Sequence, residues 1–92
     1  GKASTGTRRR NDAKAALSEQ DQSLFEALRA TRTALARELA VPPYVIFPDT
    51  TLIALASHRP GSAEAMLEIQ GVGKTKLQRY GAEFLDTIRA HG

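Results

Sequence analysis

The 92-residue chain reads as an all-α domain of four or five short helices with a helix-GVG-helix turn. Three observations lead there. Apolar residues recur with a period near 3.6 in two long stretches, no stretch alternates with a period of two, and Pro or Gly pairs punctuate the chain between short apolar runs. A chain of this size supports one modest core. Its 41% hydrophobic and 25% charged residues are those of an ordinary globular protein.

Residues 1–22 hold a single leucine and no aromatic residue, too little apolar surface to offset the entropy of ordering, and are expected to form a flexible basic linker. The Arg8-Arg9-Arg10 run within it is a weak phosphate-attracting arm or a solvated tether. The domain proper is expected over 23–92. Ser23 with Glu26 three residues on makes a capping box, so the first helix is placed there, with Leu24, Leu28, Leu35 and Leu39 as its apolar stripe until Pro42-Pro43 forbids continuation. Arg29 and Arg32 share one flank of this helix, and Arg37 lies nearly opposite the stripe. The next stretch, VPPYVIFP, sends Val41, Val45, Ile46 and Phe47 toward the core as an extended crossover. Asp49 is the expected N-cap of a helix carrying Leu52, Ile53 and Leu55, closed by Pro60-Gly61. Ser62 caps a short helix with Ala63, Met66, Leu67 and Ile69. From Lys74 onward, Leu77, Tyr80, Gly81, Phe84, Leu85 and Ile88 follow the helical period, as one long helix or two joined at Gly81, where glycine marks a kink or a close crossing.

Several kinds of chemistry find no support. The chain has no cysteine, hence no disulfide or thiolate site. No apolar run is long enough for a membrane span, and the polar start offers no apolar stretch for a secretory signal. The carboxylates Glu64 and Glu68, and Glu83 and Asp86, pair along helix faces but converge with no others, and His58 and His91 have no ligand or nucleophile partner at a telling spacing, so the expected metal and catalytic sites are none.

Gly71-Val72-Gly73-Lys74-Thr75 invites comparison with a nucleotide-binding loop and fails it. The first glycine of a phosphate-wrapping loop would stand at Glu68, whose carboxylate repels phosphate, and helix rather than strand precedes it. What remains is a tight turn, with Val72 suited to the core, leading into a helix N-terminus whose unpaired amides and partial positive charge favour an anion. Lys74 and Lys76 sit where the helix dipole disfavours cations, by about 0.3–1 kcal/mol, a penalty that a bound phosphate would relieve, and Arg79 extends the cluster by a turn. The same residues also suit a plain turn whose lysines face water, and both readings stand on residue physics alone. Electrostatics adds little: of the net +3, residues 1–22 supply +2 and residues 23–92 only +1, so any hold on a polyanion must come from local clustering.

From Leu24 to His91 the chain resembles the HRDC domain, the helicase-and-RNase-D C-terminal module, through VPPYVIFPDTTL, the short alanine- and methionine-bearing helix, and the I-x-GVG-x-x-K-L-x-x-Y-G pattern; VPPYVIF is most like that of bacterial RecQ DNA helicases. The resemblance implies a small five-helix bundle, a non-catalytic auxiliary domain that binds single-stranded or branched (junction) DNA weakly and without sequence specificity, helping to position a helicase. It also implies a monomer with no cofactor of its own, ATP and Mg being used by the parent helicase core. The helicase core or neighbouring domains are its further partners, in a bacterial cytoplasmic, nucleoid-associated setting. The alternative is a protein-interaction or intramolecular docking module regulating the core. Carried onto this sequence, the candidate DNA-binding residues are Tyr44 as a stacking ring, Gly71, Val72, Gly73, Lys74, Lys76 and Arg79 at the glycine turn, and Arg29 and Arg32 on the first helix. Leu77 stands where a helix-hairpin-helix has a small residue.

Overall fold

The computed structural model describes residues 17–91; the Arg8-Arg9-Arg10 run and the rest of the expected linker before Leu17 lie outside them. The first helix, α1, spans Glu19–Leu39, with the Ser18 hydroxyl accepting from the Asp21 amide at 3.1 Å and Glu19 and Asp21 in the first turn. The expected start at Ser23 therefore moves back, and the boundary expected at residue 22 falls inside α1. The reason is that Ser18 offers the same hydroxyl-then-acid pattern as Ser23, and Leu17 before it is buried as an anchor. Asp21 is fixed further by Arg59, whose Nε donates to its Oδ1 at 3.1 Å.

At its other end α1 closes on Ala40 in the left-handed region (φ 58), with the Val41 amide donating to the Ala36 carbonyl at 3.0 Å. Leu39, expected on the buried stripe, is 47% exposed, because the chain turns away before anything covers it. Instead of an extended crossover, Pro43–Ile46 forms a one-turn helix, α2, led by Pro42. Ile46 and Phe47 are fully buried as expected, whereas Val45 points outward.

Helix α3 spans Asp49–His58 and buries Thr51, Leu52, Leu55 and Ala56, with Ile53 half-buried. Asp49 is its first residue rather than its N-cap, a place held by Pro48. Ser62 does cap α4 (Ala63–Leu67), accepting from the Ala65 amide at 3.1 Å. The last helix, α5, runs unbroken over Lys74–His91. Gly81 neither kinks it nor admits another helix: a Cβ there would lie 2.6 Å from Leu77 Cδ1, so the glycine makes room for the leucine one turn back.

No strand occurs among the described residues. Helix α1 packs against α2, α3 and α5, and α4 packs against α5. Phe47 occupies the junction, its ring edge-on to Phe84 at 5.0 Å and to Tyr80 at 6.2 Å between centroids, each worth about 0.5–1.5 kcal/mol beyond burial. Two polar ties cross the bundle between α1 and α5, Thr31 to Thr87 at 2.6 Å between hydroxyls and Ser23 to His91 Nε2 at 3.0 Å.

Candidate nucleic-acid interface

The glycine corner is built from its turn outward. The Ile69 amide donates to Met66 O and the Val72 amide to Ile69 O, both at 3.0 Å, and the Val72 side chain drops into the core as expected. Gly71 has φ 94, where a side chain is strained, and a Cβ there would run into the Thr51 hydroxyl. That hydroxyl donates to Gln70 O at 3.3 Å, so Thr51 of α3 seats the corner from beneath. The Gly73 carbonyl then accepts from Leu77 as α5 begins, at 2.8 Å.

Among the described residues, the amides of Gly73, Lys74, Thr75 and Lys76 find no backbone acceptor, and Gly71, Gly73, Lys74 and Thr75 are exposed. No acidic side chain occupies this first turn. The corner is thus open, and its orphan donors face outward with two lysines around them. Lys74 and Arg79 are exposed; Lys76 is half-buried, its Nζ 5.8 Å from the centroid of the Phe47 ring, a cation–π distance.

Tyr44 is 68% exposed on α2, with Val45 and Leu39 also outward. Three residues after Tyr44 comes Phe47, the ring that Lys76 covers. A groove lined by Pro48, Thr50, Thr51, Ala54, Gln70 and Gly71 continues from the end of this segment to the glycine corner. The fold therefore brings the ring of Phe47, three residues after Tyr44, to Lys76, and joins the Pro48 segment to the Gly71 turn through this groove.

The two α1 arginines part company. Arg29 is exposed, within 3.3 Å of Glu26, and lines a separate α1 groove with Ala30, Thr33 and Arg37. Arg32 is turned inward at 11% side-chain exposure, its Nη1 donating to Phe47 O at 2.8 Å and standing 2.9 Å from Asp49 Oδ1, while its Nε is buried without a partner. Sequence reasoning missed Phe47 as the platform under Lys76, and Thr51. The latter had a signal, since it is a hydroxyl on the buried stripe of α3, four residues before Leu55. Among the described residues, no three His, Cys, Asp or Glu side chains gather as a metal site would require.

The sequence pattern of the HRDC domain matches residues 21–88. The chain is 43% identical over 77 residues to the ATP-dependent DNA helicase RecQ of Bacillus subtilis, covering 84% of the chain and 13% of that helicase. It is 41% identical over 69 residues to the ATP-dependent DNA helicase UvrD2 of Mycobacterium tuberculosis H37Rv, covering 75% and 10%. To the ATP-dependent DNA helicase Q-like 4B of Arabidopsis thaliana it is 38% identical over 80 residues, covering 83% and 7%.

Proposed function

The chain belongs to the HRDC domain family, and on that premise we propose that it is a non-catalytic accessory domain of a RecQ-type DNA helicase, binding single-stranded or branched DNA weakly and without sequence preference. The observation that carries this reading is the open glycine corner, whose amides have no backbone acceptor, together with an exposed tyrosine three residues before the ring that Lys76 covers. In it, Lys74 with the Gly73 amide receives one phosphate, Lys76 and Arg79 receive neighbouring ones, Gly71 and Val72 shape the turn, and a base stacks on Tyr44. Such stacking contributes about 1–3 kcal/mol whatever the base, because every base has a π-face. Arg29 stands outside this face as a peripheral attraction. The parent chain supplies ATP hydrolysis with Mg in its own core, and the domain acts as a monomer tethered to that core in the bacterial cytoplasm.

With three or four phosphate contacts, the dissociation constant on an unpaired strand is expected at about 10⁻⁴–10⁻⁶ M, with a log–log salt slope of roughly −2 to −3. Titration of a labelled oligonucleotide at several salt concentrations measures both, and no binding at low salt rejects the proposal.

One observation favours a second reading, docking on the helicase core or another protein. Between α1 and α5, Thr31, Ala34, Leu35, Arg37, Glu38, Glu83, Asp86 and Thr87 line a groove with three carboxylates, far from polyanion chemistry. Chemical-shift titration separates the readings: DNA moves residues 44–47 and 71–79, whereas a docking partner moves 31–38 and 83–87.

A further inference from the structure

We infer that Arg32 is a positioning residue, a brace that holds the Tyr44 turn in its binding shape without touching the ligand. This rests on the DNA-binding reading above. Helix α2 is four residues long, and a single turn has no cooperative stability of its own, so its orientation must come from what holds its ends. On the entry side the turn at Ala40 and the paired prolines fix it. On the exit side stand Ile46 in the core and Arg32, whose Nη1 reaches both the Phe47 carbonyl at 2.8 Å and Asp49 Oδ1 at 2.9 Å. Those two acceptors flank Pro48, so one guanidinium ties the junction of α2 and α3 to α1. Phe47 is also the residue whose ring lies beneath Lys76. Arg32 thereby sets the spacing between the stacking ring and the cation that would meet the next phosphate.

The same geometry argues against direct contact by Arg32. Its side chain is 11% exposed and Nη1 is committed twice over. Its buried Nε–H has no partner, a defect that a Met or Leu at this site would avoid, so the two bonds are what the arginine contributes there. Presetting a ring in its bound orientation removes an ordering cost from binding.

The test is Arg32→Met, which keeps bulk and removes both bonds. In the free domain, backbone order parameters of residues 44–46 are expected to fall from roughly 0.85 toward 0.6, while those of 71–79 stay unchanged. With a single-stranded oligonucleotide, affinity should drop roughly five- to tenfold, the lower part of the range for one base stack. The salt slope should stay at its wild-type value, and Tyr44→Ala should cost little further in this background while Lys74→Ala costs its full amount. A slope shallower by about 0.7 would mean that Arg32 contacts a phosphate itself, overturning the brace. Unchanged order and affinity would overturn it too. If Arg32→Met does not fold, Asp49→Ala decides: the brace requires weaker binding although a negative charge is lost, and equal or tighter binding refutes it. Should the wild-type domain bind no DNA, the functional reading fails, while the order parameters still judge whether Arg32 holds the turn.

Discussion

At Pro42-Pro43 and again at Gly71 to Gly73 the chain turns into a helix, yet the two turns are made from opposite materials. The first is stiffened by proline and presents Tyr44, Val45 and Leu39, apolar surface with no cation among them. The second needs a glycine at φ 94 and presents bare amides with Lys74 beside them. Neither can hold a nucleic-acid strand alone: a ring takes a base but no phosphate, and a helix N-terminus takes a phosphate but no base. Phe47, buried three residues after Tyr44 and with its ring centroid 5.8 Å from Lys76 Nζ, is the link between the two turns.

The largest effect should come from breaking the second turn. Gly71→Ala meets both a disfavoured φ and the Thr51 hydroxyl, and is expected to cost about 2–3 kcal/mol, lowering the thermal midpoint by roughly 10–20 °C. A melting curve like that of the wild type would show that the corner is not held as described. Tyr44→Ala should do the reverse, leaving the midpoint within a few degrees because the ring is exposed, while weakening oligonucleotide binding by about 1–3 kcal/mol at an unaltered salt slope. For Lys74→Ala with Lys76→Ala, the expected signature is electrostatic: a slope shallower by about 1.4 and binding that converges with the wild type at high salt. If Tyr44→Ala changes the slope and the lysine pair does not, the assignment of base to one turn and phosphate to the other is wrong. The smallest effect is expected from Ala40→Gly, which relieves the left-handed residue behind the proline turn and should add about 0.5–1 kcal/mol of stability without altering affinity.

These two turns were not equally legible. The glycine corner follows from local rules, since φ above zero, a buried valine and an amide-rich helix start are all encoded within five residues. Four of the five helices and most of the core were legible for a related reason, because periodicity reports which side of a helix is apolar. It does not report what covers that side. Leu39 continues the stripe of α1 but lies past its cover, and Arg32 shares a flank with Arg29 yet is enclosed by a segment that begins 15 residues later. Ser18 and Ser23 both satisfy a cap pattern, and only the burial of Leu17 and the Arg59 bond to Asp21 decide between them. The one-turn α2 was hidden because its order is supplied by neighbours distant in sequence.

The contact between Ser23 and His91 sets the start of α1 and the finish of α5 side by side, while Lys74 opens α5 and Tyr44 follows the end of α1. A helix of 21 residues is about 30 Å long, so the bundle is a rod that sets its two ends apart by that distance. Measured along one strand of a duplex, this is about nine phosphates. On the proposed reading, shortening the rod by a turn, rather than altering the glycine corner, would change how far along a strand the two ends of the bundle reach.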